Sequence, residues 1–286
     1  MPDDRGTHQV EFKQKGQVMR LRSLLCALAL VGAVQSASAA DLGDSFLRGS
    51  TVISQPGGPR WDGFYFGAHV GANTAGADLA GSSKDLVGSI LRESTFLSLF
   101  NVSDWRVLGK ADTTGSSFGG FIGYNTQWDG AILGIEGTYN RTSLALAAGD
   151  SLALQPAGSP DTVFITASTS TKITDYGTLR VRGGVDAGTF MPYGFVGLAL
   201  GRADVARSAS VQIVNFNQSP VPYFADSRTD NKVGAFAYGY AAGFGMDLCV
   251  WSNLFVRGEY EYVQFGEFNG INMHIHTARI GAGWKF

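Results

Sequence analysis

The chain is poor in cysteine, in proline and in charge, and it has no long apolar run. Only two cysteines occur in 286 residues, Cys26 and Cys249. A zinc site built on several cysteines is thereby excluded, and if Cys26 leaves with a processed leader no intrachain disulfide can form. Charged residues make up 16% of the chain, below the ordinary quarter. The net charge of −2 offers no basic excess of the kind that signals nucleic acid. The one sizeable apolar run, 23–34, is too short to span a bilayer as a helix, and no other stretch is apolar enough. Glycine, by contrast, is abundant at 39 residues against 8 prolines.

The amino terminus reads as an export signal. Met19-Arg20-Leu21-Arg22 is basic, 23–34 is apolar, and Ala37-Ser38-Ala39 supplies small residues for cleavage. This assigns 19–40 as a signal peptide and makes 1–18 an extension ahead of the true start at Met19. The alternative is a cytoplasmic tail before an anchor. Residues 41–60, with Pro56-Gly57-Gly58-Pro59, read as a periplasmic linker. Export without a later stop-transfer helix leaves a soluble exported protein or a β-barrel.

The final segment favours the barrel. Ala278, Ile280, Ala282, Trp284 and Phe286 alternate with Arg279, Gly281, Gly283 and Lys285. That period belongs to a strand with one apolar face, and a terminal aromatic finds its place in the interfacial girdle of an outer-membrane barrel. Eight strand candidates follow the linker, at 63–73, 116–128, 131–143, 171–186, 190–204, 231–247, 253–265 and 274–286. Their connections alternate between long (74–115, 144–170, 205–230) and tight (Asp129-Gly130, 187–189, 248–252), with a moderate one at 266–273. Barrels of the outer membrane have short periplasmic turns and long outer loops. The expected fold is therefore all-β: an eight-stranded antiparallel up-and-down transmembrane β-barrel over 61–286, with 74–115, 144–170 and 205–230 as long external loops.

Parity sets the faces. In the third strand Leu133, Ile135 and Tyr139 alternate with Glu136 and Asn140. In the fourth, Leu179, Val181 and Val185 alternate with Arg180 and Arg182. In the seventh, Leu254, Val256, Tyr260 and Tyr262 alternate with Arg257, Glu259 and Glu261. An Arg or Lys on the lipid face at mid-bilayer would cost about 2–4 kcal/mol, so the charged parity points inward. Glu136, Arg180, Arg182, Arg257, Glu259, Glu261 and Arg279 are expected to form a paired polar core, with glycines such as Gly119, Gly123, Gly243 and Gly281 making room. The alternative is a gated ion path or proton relay. By the same parity Phe286 points outward. Trp61, Trp128, Trp251 and Trp284 fall at the periplasmic edge as an aromatic belt, while Trp105 lies in the first long loop. His274 and His276 share an outward face near the external rim, and His69 faces inward. No Ser, His and Asp set with catalytic spacing can be assembled, so no enzyme activity and no cofactor are expected.

Several segments are similar to those of known outer-membrane proteins of alphaproteobacteria. Trp61-Asp62-Gly63-Phe64-Tyr65-Phe66-Gly67-Ala68 resembles their opening strand, and Gly119-Gly120-Phe121-Ile122-Gly123-Tyr124-Asn125 their second. Met191-Pro192-Tyr193-Gly194 resembles the fifth, Glu259-Tyr260-Glu261-Tyr262 the penultimate, and Gly283-Trp284-Lys285-Phe286 the ending. Five such segments in order resemble the porin-family or outer-membrane immunogenic protein group, related to the outer-membrane protein A barrel. The resemblance implies a bacterial outer-membrane location and a structural role in envelope integrity with a surface-antigen or adhesin-like function. The implied partners are outer-membrane lipids and lipopolysaccharide, the barrel assembly machinery, and host or surface ligands met by the loops. Some members of the group bind haemin or host molecules, and no residue here carries that over. No peptidoglycan-binding domain follows Phe286, so anchoring through one is not expected. Three rivals remain: a narrow channel for small solutes, a lipid-modifying barrel enzyme, and a soluble exported barrel. Deleting Phe286 is expected to impair membrane assembly more than export. Fractionation of the truncated protein checks this, and normal insertion overturns the reading of the terminus.

Overall fold

A computed structural model describes residues 60–92, 101, 104–267 and 270–286. The signal peptide, the preceding extension and the linker up to residue 59 lie outside the described residues. The elements are β1 (Gly63–Asp78), α1 (Lys84–Ile90), β2 (Lys110–Trp128), β3 (Ala131–Leu154), β4 (Thr162–Val185), β5 (Phe190–Val214), β6 (Phe224–Cys249), β7 (Leu254–Phe265) and β8 (Asn272–Lys285). The eight strands pair antiparallel in chain order and close into a barrel. The seam joins β1 to β8 from Tyr65↔Lys285 to Asp78↔Asn272.

Local chemistry explains the short-turn end. Asp129 and Gly130 both have positive φ, 44° and 84°, as a two-residue turn matched to strand twist requires. Between β4 and β5 the Asp186 carboxylate accepts the Gly188 N–H at 2.8 Å. Phe286 extends the ladder, its N–H donating to Phe64 O at 3.0 Å.

The strands differ from the sequence expectation in length. β3, β4, β5 and β6 run 24, 24, 25 and 26 residues, where about 9–11 tilted residues cross a bilayer. Most of 144–170 and 205–230, expected as loops, is strand; only 155–161 and 215–223 lie outside it. The first loop also shortens to 79–109 and contains α1. The physical reason lies at one level of the wall. Register shifts fall between Arg141 and Leu144, between Ile173 and Asp175, and between Ala203 and Val205. These β-bulges shift the pairing at the points where the sequence suggests strand ends, and in β4 they reverse which parity faces inward.

The wall also changes character there. On the short-turn side of the bulges, Phe66, Ile122, Leu179, Leu198 and Tyr238 are exposed outside while Glu136, Arg180 and Arg257 are buried inside. Beyond the bulges, Leu144, Leu146, Ile165, Val211 and Ile213 are buried inside, and the outer positions are Ser168, Ser170 and Ala206. A sheet in lipid hides its polar side; a sheet in water hides its apolar side. The bulge ring therefore marks the passage from lipid to water.

Three layers fill the interior. Trp61, Tyr65, Phe121, Ile132, Met191, Tyr193, Phe195 and Phe255 form an aromatic cluster near the short-turn end. A charged layer follows. Above it, Leu86, Val87 and Ile90 of α1 join Leu144, Ile165, Val211, Met273 and their neighbours in a second apolar core. The described part of the first long connection thus folds into the barrel mouth, with Trp105 packed against that core.

Trp61 departs from the expected girdle. It is 2% exposed, its indole N–H donates to Gly188 O at 3.2 Å, and its ring meets Phe255 edge-on at 6.4 Å. It precedes β1, so strand parity does not govern it, and the chain turns inward to cap the aromatic cluster. Trp128, Trp251, Trp284 and Phe286 are exposed on the outside.

Wall-to-wall closeness depends on glycine. A Cβ on Gly119 would lie 1.9 Å from Tyr139 O and 3.0 Å from His69 Nε2. Gly119→Val is expected to abolish the folded, heat-modifiable gel band; retention of that band in refolded protein would contradict this packing.

Candidate functional site

The barrel wall brings all seven charged residues read from parity into one cluster, and adds Asp247 on β6. Four arginines meet four carboxylates. Arg180 on β4 lies at the centre. Its Nε donates to Glu136 Oε1 at 2.9 Å, its Nη1 to Glu259 Oε1 at 2.8 Å and to Glu261 Oε2 at 3.1 Å, and its Nη2 to Glu259 Oε2 at 2.7 Å. Nη2 also bonds Glu136. Arg182 donates to Glu136 Oε2 at 3.1 Å and to Asp247 Oδ2 at 2.8 Å. Arg257 makes a two-pronged bond to Asp247, at 2.8 and 3.0 Å, and reaches Glu136 Oε2 at 2.8 Å. Arg279 on β8 donates to Glu259 Oε1 at 2.6 Å and Glu261 Oε2 at 2.8 Å.

Neutral groups complete the layer. The Tyr65 hydroxyl donates to Glu136 Oε2 and the Tyr193 hydroxyl to Glu259 Oε2, each at 2.7 Å. His69 Nε2 and Arg279 Nη1 converge on Asn140 Oδ1 at 2.7 and 3.1 Å. The guanidinium carbons of Arg180, Arg182 and Arg257 lie 4.0, 3.7 and 4.1 Å from the ring centres of Phe195, Tyr193 and Phe121. The aromatic cluster is therefore the floor on which the cations rest, through attraction to the ring faces. Small residues admit the large ones: a Cβ on Gly123 would lie 2.3 Å from the Tyr65 hydroxyl, and one on Gly197 2.7 Å from Arg180 Cβ.

The network is almost completely satisfied. Of its charged groups only Arg182 Nε and Glu261 Oε1 are buried without a hydrogen-bond partner. Burying ions is costly unless they are paired and bonded, and removing one partner exposes that cost. Sequence reading overlooks Asp247 because it sits at the end of its expected strand. The available signal is the ladder, in which Asp247 stands directly opposite Arg257.

Outside the bilayer, a second polar contact fixes the first connection. Arg207 donates to Ser82 O at 3.2 Å and to Asp230 Oδ2 at 2.5 Å, and the Ser82 and Thr169 hydroxyls are 2.8 Å apart. The hydrogen bond from Arg207 holds the Asp230 carboxyl below its ordinary range. The outward histidines form a surface cluster with tyrosines: His276 Nδ1 lies 2.6 Å from the Tyr260 hydroxyl, and the His274 and His276 rings are 5.4 Å apart. Among the described residues, no three His, Cys, Asp or Glu side chains are disposed to hold a metal.

Comparison with known proteins agrees with this architecture. The family described as outer membrane protein beta-barrel domain matches residues 24–286. No curated protein matches. Among solved structures, Neisserial surface protein A is 17% identical, covering 78% of this chain and 97% of that one, with a TM-score of 0.36. The attachment invasion locus protein Ail of Yersinia pestis is 12% identical, covering 79% and 99%, with a TM-score of 0.28. The N-terminal β-barrel domain of Pseudomonas aeruginosa OprF is 12% identical, covering 76% and 97%, with a TM-score of 0.27.

Replacing the central cation tests the energetics of the charged layer. Arg180→Met leaves Glu136, Glu259 and Glu261 without their shared partner and is expected to cost about 3–5 kcal/mol. Urea unfolding of refolded protein in lipid bilayers measures it, and a loss below about 1 kcal/mol would mean that the network does not depend on Arg180.

Proposed function

The chain belongs to the outer membrane protein beta-barrel domain family and resides in the bacterial outer membrane, and from that premise we propose that it is a non-conducting structural barrel that presents a rigid sheet and its connecting loops at the cell surface. The observation that carries this reading is the charged layer wedged between two apolar cores. An eight-stranded barrel has an interior only wide enough for side chains. Here Arg180 and Arg182 are each 1% exposed, and a water file would have to break several charge-assisted bonds to pass them.

Envelope integrity follows from such a filled cylinder, and surface recognition from what stands above it. Loops and strand ends on a rigid scaffold are the usual carriers of binding. Here β3 to β6 raise the connections 155–161 and 215–223 well clear of the bulge ring. An antigen or adhesin-like role fits this placement, and so does the alphaproteobacterial group that the sequence resembles. Residues 19–40 would direct export.

Planar-bilayer recording is the direct test. Purified protein is expected to give no steady conductance, and discrete, lasting current steps would favour the narrow channel instead. Lipid A mass profiles with and without the gene are expected to be the same; a mass change would favour the lipid-modifying enzyme.

A further inference from the structure

The short-turn end of the barrel, which faces the periplasm, holds an open cavity of about 770 Å³. Its lining includes Cys249 at the end of β6, Thr189 and Ser252 in the flanking turns, and Lys285 at the end of β8. A cysteine placed here meets an oxidising compartment. Cys249 is a free cysteine. It is partly exposed, it packs against the aromatic cluster, and its Sγ donates to Trp251 O at 2.9 Å.

The second feature of the cavity is its cation. Lys285 is 9% exposed, and its ammonium lies 5.4 Å from the centre of the Trp61 ring. Among the described residues its side chain makes no salt bridge and no hydrogen bond. An ammonium in such a position is costly without a partner, and the ring face supplies only part of one. Of the ionisable side chains around it, Cys249 acts on Lys285 most strongly, ahead of Asp62 and Asp186. Both acids are engaged elsewhere. Asp62 pairs with Arg60 at 3.0 Å, and Asp186 accepts from Gln127 Nε2 at 2.6 Å and from the Gly188 N–H at 2.8 Å. The cavity thus offers an incoming anion one uncompensated ammonium beside a thiol.

We propose that Cys249 is a thiol–disulfide exchange site for small carboxylate-bearing disulfides of the periplasm, with Lys285 drawing the anion in. Cys249 loses its proton to water, and its thiolate attacks one sulfur of the disulfide. A new S–S bond forms to Cys249, the old S–S bond breaks, and the departing thiolate takes a proton from water. The Cys249 sulfur is oxidised and the leaving half is reduced, so the disulfide itself is the oxidant. A carboxylate of the retained half meets Lys285, and its remaining polar atoms face the Thr189 and Ser252 hydroxyls. This inference goes beyond the structural reading of the barrel and survives if the barrel proves to conduct.

Labelling kinetics of the full-length protein refolded in detergent micelles test it, read by mass on the peptide that contains Cys249. Oxidised glutathione, which is anionic, is expected to label about tenfold or more faster than cationic cystamine, each rate being taken relative to a free small thiol; the factor is one of local electrostatic attraction. Lys285→Gln should abolish this preference and Lys285→Arg should keep it. Salt at about 1 M should erase it in the unaltered protein. Neutral hydroxyethyl disulfide should label the unaltered protein and Lys285→Gln at one rate; slower labelling of the variant would make Lys285 a packing residue and overturn the assignment. Equal rates for the two charged disulfides on the unaltered protein would overturn it too, as would the failure of all three to label a folded sample. Heat-modifiable gel migration verifies the fold of each variant.

Discussion

Hydrocarbon outside the wall leaves a spanning strand one direction in which to point a charge. Every charged side chain on the membrane segments of β3, β4, β7 and β8 consequently turns into a cylinder too narrow for water to solvate it. Such ions persist only as a collective, which is why no carboxylate of the layer has a single partner. Glu136 is shared by Arg180, Arg182 and Arg257, and Glu259 by Arg180 and Arg279. The aromatic floor, the tyrosine hydroxyls and the glycines of the wall all serve this arrangement, either by bonding the ions or by giving them space.

Above the bulges the same strands obey the opposite solvent. Leu144 and Leu146 face in where Glu136 and Asn140 face in below, on one unbroken parity of β3. β4 changes parity at its bulge, so that Ile173, Ala167 and Ile165 face inward above it where Tyr176, Thr178 and Arg180 do below. The chain thus carries two consecutive folding codes, one for lipid and one for water, joined at a ring of irregular residues. α1 and the residues around it close the upper part as a lid of ordinary globular character, secured by Arg207 through Ser82.

The membrane part of the fold is legible in the sequence because parity and turn length both report on it. Arg180 and Arg182 flanked by Leu179 and Val181 admit one orientation, and Asp129-Gly130 admits one kind of turn. Legibility fails where one of these cues is lost. The segment 144–170 reads as loop because its outward positions turn to Ser, Thr and Ala, which suit an aqueous sheet and lack the apolar signature of a lipid face. Trp61 reads as girdle because tryptophan near a strand end usually is, yet a residue ahead of the first strand escapes parity and follows the aromatic cluster. Asp247 is hidden by its position at a strand terminus, and only the cross-strand neighbour Arg257 reveals it.

The distribution of the charged layer among strands bears on how the barrel forms. Glu136 and the first two arginines arrive on β3 and β4, whereas Asp247 arrives on β6, Arg257, Glu259 and Glu261 on β7, and Arg279 on β8. A half-built sheet would hold Arg180 and Arg182 against a single carboxylate, with one surplus positive charge facing a low-dielectric surface. Asp247 on β6 balances that charge, β7 then leaves one surplus negative charge, and Arg279 on the closing strand β8 restores neutrality. Closure is thus an electrostatic event as well as a matter of hydrogen bonding, and it couples the two ends of the chain into one cooperative step.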